Sequence, residues 1–130
     1  MADKFLPKRD RKYLEDKKIQ YREMNDGVRN GLIIDNFVIG QNGKFNIEEA
    51  SLLIIIPPGY PDVPPDMFYF YPDVLIKAGN KFPPQADVKE NHFNQIWQRW
   101  SRHNPGDAWR PGIDGIQSYL QKVYTALKQC

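Results

Sequence analysis

The clearest hydrophobic pattern in the sequence lies near its C-terminal end. Between residues 112 and 129, apolar side chains recur at spacings of three and four residues: Ile113, Ile116, Leu120, Val123 and Leu127. This spacing places them on one face of a helix, with polar residues at most of the other positions. The pattern therefore predicts an amphipathic helix over residues 112–129 that packs on a larger apolar surface.

The middle of the chain has the pattern of several short strands. Three runs are rich in β-branched, aromatic or aliphatic residues and are separated by turn-forming residues: 31–39, 49–58 and 66–72. The second run is apolar enough for burial on both faces, and the sequence GQNGK at 40–44 predicts a hairpin turn. Short strands at this close spacing favour an antiparallel meander.

Residues 8–25 differ from these runs because good helix formers dominate them. Pro7 suits the first turn of a helix, and Leu14, Tyr21 and Met24 could share a narrow apolar stripe. The expected order is helix, meander, structured loop and helix. This order predicts an α+β fold that forms a single domain over the whole chain.

Charge and composition exclude several classes of function. The net charge of +2 is too small to indicate nucleic-acid binding by itself, although half of the 18 Lys and Arg residues lie within residues 1–30. No apolar run approaches membrane-spanning length, and the N-terminus carries no hydrophobic targeting segment, so we expect a cytoplasmic protein. The single cysteine, Cys130, excludes an internal disulfide framework, and we expect neither a metal nor another cofactor.

Candidate chemistry is concentrated in residues 92–112. The segment WQRWSRHNPGDAWRPG (97–112) is too interrupted for a helix and too polar for a core strand, so we expect a loop held in one shape. His92 and His103 each suit a loop-organising hydrogen bond or a general base. Ser101 could act as a nucleophile beside such a base, with Asn94 as an oxyanion donor. A solvated loop serine is the alternative.

Cys130 is the only thiol in the chain and the obvious competing nucleophile. It is the last residue and follows the predicted C-terminal helix. A chain terminus is a poor platform for catalysis because little holds it in place. We therefore do not expect Cys130 to carry the chemistry.

Taken together, these segments resemble the ubiquitin-conjugating enzyme (UBC) fold. PPGYPDVPP (57–65) is similar to the family's YPxxPP motif, HFN (92–94) to its His-Pro-Asn triplet, and WRP (109–111) to the tryptophan and proline that precede a helix. The resemblance spans essentially the whole chain, residues 1–130. It implies an N-terminal helix, a four-stranded antiparallel meander, a structured active-site loop and a C-terminal helix. The family's two further C-terminal helices are absent, so we expect a shortened C-terminus.

The resemblance also implies roles for individual residues. The family's catalytic cysteine lies eight residues before the W-x-P tryptophan, and the same count back from Trp109 gives Ser101. The implied chemistry is an oxyester on Ser101, with His103 as the base that a hydroxyl requires and Asn94 as an oxyanion or loop-ordering group. The loop-organising residues would be His92, Trp109, Pro111, Tyr60, Pro61, Pro64 and Pro65.

Two alternatives to the oxyester stay open. Either the nucleophile has been lost, or residue 101 has been substituted experimentally; in both cases the domain would be a non-catalytic module that binds a ubiquitin-like protein or a partner enzyme. A structural module of RWD type shares the meander and the YPxxPP segment. The HFN triplet, the WRP helix start and the register of Ser101 argue against the RWD interpretation.

The partners implied by the resemblance are proteins. They are a ubiquitin-like protein, an activating-enzyme homologue and a target with an acceptor amine, whereas no nucleic acid or membrane is expected. The sequence WQRWSRHN…WRPG resembles the corresponding segment of bacterial UBC-like proteins. These proteins are encoded in small operons together with a ubiquitin-like protein, an activating-enzyme homologue and a peptidase. The basic residues of the first helix match the surface with which the family docks its activating enzyme: Lys8, Arg9, Arg11, Lys12, Lys17 and Lys18. A solvated helix face explains these residues equally well.

Overall fold

A computed structural model describes residues 5–40, 43–102 and 109–130. In these residues the chain forms two helices and six strands, and the strands join in one antiparallel sheet. The elements in chain order are α1 (Lys8–Asp16), β1 (Tyr21–Asn25), β2 (Asn30–Val38), β3 (Glu49–Ile56), β4 (Phe68–Tyr71), β5 (Val88–His92), β6 (Gln95–Trp100) and α2 (Ile116–Lys128). The α+β order is the one that the sequence predicts.

The sheet has the order β1-β2-β3-β4-β6-β5. Its first four strands form a meander, and the hairpin β5–β6 adds two more strands beside β4. The expectation of four strands is therefore wrong, since the described chain has six. The sequence signal of the hairpin is weak because Lys, Glu, Asn and Gln interrupt its apolar positions. Trp97 and Trp100 nevertheless bury on opposite faces of the sheet, so these two residues belong to a core strand and not to the expected loop over 97–112.

The first helix is shorter than the sequence predicts. It ends at Asp16, and the residues that were expected to continue it form β1, which pairs with β2. Lys18 has a positive φ of 57°, which is incompatible with a continuing helix. In β1 the carboxylate of Glu23 is buried and accepts the N–H groups of Phe5 and Leu6 at 2.9 and 2.8 Å. Long-range contacts of this kind override the helix propensity of Glu, Arg and Met.

Helix α2 carries the predicted apolar stripe but begins four residues later than expected, at Ile116 instead of residue 112. Ile113 lies in the preceding turn and is 62% exposed. The remaining four members of the stripe are buried, and they pack with Leu14 of α1 against one face of the sheet. Neither of the two described helices is long and apolar enough to cross a membrane.

The opposite face of the sheet has a smaller apolar cluster. Its buried members are Ile33, Leu53, Tyr69 and Trp97. Phe93, at the tip of the β5–β6 hairpin, packs onto this face and lies over Gly31 of β2. A Cβ atom at position 31 would lie 2.5 Å from Cε2 of Phe93, so glycine is the residue that permits this contact.

We expect Gly31→Ala to lower the free energy of unfolding by about 1–2 kcal/mol, because the added methyl forces the Phe93 ring out of its position. The effect should shrink when Phe93 is already truncated, since Phe93→Ala removes the clashing atoms. Urea denaturation of the two single variants and the double variant measures this coupling. Strictly additive losses would show that Phe93 does not fill the space above Gly31.

Candidate active site

Ser101 directly follows the last residue of β6 and is half-buried. Its N–H donates to the carbonyl oxygen of Gln85 at 3.0 Å, and its own carbonyl accepts a hydrogen bond from Nη1 of Arg102, also at 3.0 Å. The guanidinium of Arg102 lies 5.2 Å from the ring centroid of Trp100, which is fully buried. The main chain of Ser101 is therefore held on both sides at the end of a rigid strand, where a reactive side chain can be positioned accurately.

Residues 103–108 lie outside the described part of the chain, and the predicted base His103 is among them. The description resumes at Trp109, whose indole N–H donates to the carbonyl oxygen of Pro61 at 2.8 Å. The Trp109 ring also packs against Tyr60, with 6.4 Å between ring centroids. The YPDVPP segment and the WRP segment are thus in direct contact, although they lie 48 residues apart in sequence.

The remaining prolines of the two motifs differ in burial. Pro65 is buried, Pro64 is half-buried and Pro111 is exposed. Of the predicted loop-organising residues, Tyr60, Pro61 and Trp109 are thus brought together by direct contacts.

The structure does not bring Asn94 close to Ser101. Phe93 and Asn94 form the two-residue turn between β5 and β6, with φ values of 53° and 62°. Positive φ at both positions is what a tight hairpin turn requires. Ser101 lies at the other end of β6, seven residues further on, and strand rise puts the two Cα atoms roughly 23 Å apart. The HFN residues are similar in sequence to a His-Pro-Asn triplet, but in this protein they form the tip of a hairpin.

His92 organises this hairpin instead of the loop near Ser101. Its side chain is buried, and Nε2 lies 2.9 Å from Oε1 of Glu90. Glu90 also accepts hydrogen bonds from Tyr69 and Arg99. Burial pushes the pKa of Glu90 upward, but the hydrogen bonds from His92, Arg99 and Tyr69 outweigh it and hold the pKa below the ordinary value. Burial, together with the Glu90 charge, raises the pKa of Tyr69 to about 12.

Asp10 connects α1 to the YPDVPP segment and to the start of α2, a role that the sequence did not indicate. Its Oδ2 accepts the hydroxyl of Tyr60 at 2.5 Å, and its Oδ1 accepts the N–H of Ile116, the first residue of α2, at 3.1 Å. Asp10 is only 2% exposed. A Cβ atom at Gly115 would lie 2.6 Å from Oδ1, so glycine there allows the close approach. Burial, together with the Asp10 carboxylate, strongly raises the pKa of the Tyr60 hydroxyl.

A second carboxylate fixes the turn that joins the WRP segment to α2. Asp114 accepts the N–H of Arg110 at 2.7 Å, pairs with its guanidinium at 3.2 Å and accepts the hydroxyl of Ser118 at 2.8 Å. The hydrogen bonds from the Arg110 side chain are the largest cause that lowers the pKa of Asp114 to about 2. This turn therefore depends on an ionised carboxylate.

We expect the contribution of Asp114 to stability to disappear in acid. Because the pKa of Asp114 in the folded protein, about 2, lies below the ordinary 3.8, its stabilising effect is complete above about pH 4 and is lost as the pH falls toward 2. The difference in urea midpoint between the wild type and Asp114→Asn should shrink over this range. A difference that stays constant from pH 5 to pH 2 would contradict the assignment.

The six basic residues predicted for the first helix divide into two groups, and Lys17 and Lys18 follow the end of α1 at Asp16. Arg9 donates to the carbonyl oxygens of Gly112 and Asp114 at 3.0 and 2.8 Å, and Arg11 pairs with Glu23 at 3.3 Å, so these two arginines serve the fold. The lysines of the set are exposed: Lys8, Lys12, Lys17 and Lys18. Lys12 pairs with Asp16 one turn further along the helix surface.

The described residues contain no group of three or more His, Cys, Asp or Glu side chains that could hold a metal ion. Comparison with known proteins gives one family match: residues 6–130 match the family model described as Prokaryotic E2 family E. No curated protein and no solved structure matches the chain. The match covers the two helices, the sheet and the segment that contains Ser101.

Proposed function

The chain belongs to Prokaryotic E2 family E, which indicates a general role in ubiquitin-like conjugation, and we propose that it carries a ubiquitin-like protein as an ester on Ser101. In this proposal an activating-enzyme homologue supplies the ubiquitin-like protein, and an amine on a target protein receives it. The proposal rests mainly on one observation: the main chain of Ser101 is fixed on both sides at the end of β6, by the carbonyl of Gln85 and the side chain of Arg102.

The loading step forms an ester bond between Oγ of Ser101 and the activated C-terminal carbonyl carbon of the ubiquitin-like protein. The bond from that carbon to its leaving group on the activating enzyme breaks. The hydroxyl proton passes to the imidazole of His103 and from there to the leaving group, because a serine hydroxyl is not ionised near neutral pH and needs a base. In the transfer step the nitrogen of a target amine attacks the ester carbonyl carbon and forms an amide. The bond from that carbon to Oγ of Ser101 breaks, and the proton lost by the amine passes to Oγ.

Asn94 has no place in the chemistry of this proposal. Its distance from Ser101 limits it to the turn of the β5–β6 hairpin, where its positive φ suits asparagine better than most residues. The oxyanion of the loading step therefore needs another donor. Residues 103–108 begin two positions after Ser101 in the sequence, and the proposal assigns the oxyanion donor to this segment.

A non-catalytic module of UBC or RWD type that binds a ubiquitin-like protein is the second candidate. The observation that favours it is the state of the only thiol. Cys130 is half-buried, and burial raises the pKa of its thiol, which makes the chain's one sulfur a poor nucleophile. Cys130 is therefore poorly suited to the family's usual thioester chemistry, so a domain in which Ser101 carries no acyl group would be non-catalytic.

Reconstitution separates the two candidates. The protein is mixed with the activating-enzyme homologue, a ubiquitin-like protein and ATP, and its intact mass is followed with time. A covalent adduct that hydroxylamine cleaves and a thiol reductant leaves unchanged supports the oxyester. Binding of the ubiquitin-like protein without any covalent adduct supports the non-catalytic module and overturns the proposal.

We further propose that the exposed lysines in and directly after α1, Lys8, Lys12, Lys17 and Lys18, dock the activating enzyme. Charge reversal at Lys8 and Lys17 should raise KM for the loaded activating enzyme about tenfold at low salt, and the effect should weaken at high salt because salt screens exposed charges. The control is charge reversal at Lys77 and Lys81, which are equally exposed but lie in the segment between β4 and β5. Equal effects of the two double variants would contradict a specific docking surface.

A further inference from the structure

Gln98 of β6 is a fully buried polar side chain that makes three hydrogen bonds to main-chain atoms. Its Oε1 accepts the N–H of Val74 at 2.8 Å, and its Nε2 donates to the carbonyl oxygens of Val74 and Ala86 at 3.0 and 2.9 Å. Val74 and Ala86 are themselves fully buried. Without Gln98, one N–H and two carbonyl groups would stay inside the protein without these partners, and each such buried group destabilises the fold.

The two residues held by Gln98 are the ends of one long connection. Residues 74–86 leave the sheet after β4 and return to it just before β5. The first end is also held by Asn46, which accepts the N–H of Leu75 and donates to the carbonyl oxygen of Asp73, on either side of Val74. The Gln98 side chain bonds to both ends, so a single residue joins them to the strand that leads to Ser101.

The same connection also touches Ser101 itself. Gln85 is the residue directly before Ala86, and its carbonyl oxygen accepts the N–H of Ser101 at 3.0 Å. Gln98 lies three residues before Ser101 on β6. The bond from Gln98 to Ala86 and the bond from Ser101 to Gln85 therefore act on adjacent peptide units of the connection. Because Gln98 holds Ala86, it limits how far the carbonyl oxygen of Gln85 can move.

We propose that Gln98 is a positioning residue for Ser101: by fixing residues 74–86 against β6, it holds the Gln85 carbonyl where the Ser101 N–H meets it. This inference rests on the proposed function, in which Ser101 Oγ must meet an acyl carbon at a defined position. Displacement of a reacting group by about 1 Å can cost on the order of 100-fold in rate. Gln98 touches no reacting atom and acts through the main chain.

A purely structural role would make Gln98 important for stability alone. Gln98→Met tests this alternative because methionine has a similar length and volume but forms none of the three strong hydrogen bonds. The control is Ile33→Ala, a buried change in β2, which is three strands away from β6 in the sheet. Both variants are compared at a temperature where urea denaturation shows them fully folded. If Gln98→Met does not fold, Gln98→Glu replaces it, since the carboxylate keeps an acceptor for Val74 and loses both donors.

Two measurements decide the inference. Hydrogen exchange of the Ser101 amide should accelerate at least about tenfold in Gln98→Met and stay close to wild type in Ile33→Ala. The kcat of loading should fall about 10- to 100-fold in Gln98→Met, with KM for the loaded activating enzyme unchanged, whereas Ile33→Ala should load like the wild type. Loading at the wild-type rate by Gln98→Met, unchanged exchange of the Ser101 amide, or an equal loss of kcat in Ile33→Ala would each overturn the positioning role.

The failure of this inference is distinct from the failure of the proposed function. A wild-type protein that forms no adduct on Ser101 overturns the proposed function, and the positioning role in catalysis with it. If the wild type forms the adduct and Gln98→Met loads at the same rate, the positioning role alone is overturned. The exchange rate of the Ser101 amide does not depend on loading, so it reports the mechanical link from Gln98 to Ser101 in either case.

Discussion

Ser101→Ala is expected to abolish the covalent adduct with the ubiquitin-like protein while leaving the fold intact. Alanine removes Oγ, the atom that forms the ester, but keeps the N–H bonded to Gln85 and the carbonyl bonded to Arg102. Intact mass after reaction with the activating enzyme and ATP measures the loss. Ser51→Ala is the matched control, because Ser51 is also half-buried in the sheet and its hydroxyl bonds to the carbonyl oxygen of Asp35. An adduct that persists in Ser101→Ala would show that another group is the acceptor.

Ser101→Cys should convert the adduct from an ester into a thioester. The product should then be cleaved by thiol reductants, and loading should be faster because a thiolate is available near neutral pH. These experiments use a Cys130→Ser background, so that the introduced cysteine is the only thiol in the chain. Loss of all loading in Ser101→Cys would argue that position 101 does not face the activated carbonyl group.

Asp10→Ala is expected to lower the stability of the fold, because its buried carboxylate accepts two hydrogen bonds from distant segments. The variant loses the cap on the N–H of Ile116, which contributes about 1 kcal/mol, and leaves the Tyr60 hydroxyl without its carboxylate partner, at about 1–3 kcal/mol. The free energy of unfolding should therefore fall by about 2–4 kcal/mol, as measured by urea denaturation.

The control for this prediction is Asp16→Ala on the same helix. Asp16 forms an exposed ion pair with Lys12, and exposed pairs contribute little to stability because water and salt screen them. Asp10→Asn keeps an acceptor oxygen for the Ile116 N–H and should lie between the two alanine variants. Similar losses in Asp10→Ala and Asp16→Ala would contradict the cap that we assign to Asp10.

The parts of the fold that the sequence predicts are those with a strong local hydrophobic signal. The run over residues 49–58 became the central strand β3, with three consecutive residues fully buried, and the stripe of α2 packs on the sheet. The sequence did not predict β1 because Arg, Glu and Met favour helix, and only pairing with β2 and the long-range bonds of Glu23 make it a strand. The sequence did not predict the β5–β6 hairpin either, because polar residues interrupt its apolar positions.

The candidate site divides in the same way. The resemblance to the UBC family, with its count back from Trp109, pointed to Ser101, and the role of both residues in transfer stays a prediction. Spacing misled for Asn94, because a short count along the chain does not show that an extended strand separates two residues. Asp10 and Gln98 had no sequence signal at all. Their partners lie 106 and 24 residues away, so only the folded chain shows that each joins distant segments.

The cap that Asp10 provides has a consequence for how the protein is made. Asp10 and Ile116 are separated by 106 residues, and a ribosome adds about 5–20 residues per second. The N-terminal helix therefore leaves the ribosome on the order of 5–20 s before the helix that it caps. During this interval the hydrogen bond from the Ile116 N–H to the Asp10 carboxylate cannot form. Closure of the domain by this contact is thus a late event of synthesis, reached only after the strand that precedes Ser101 has emerged.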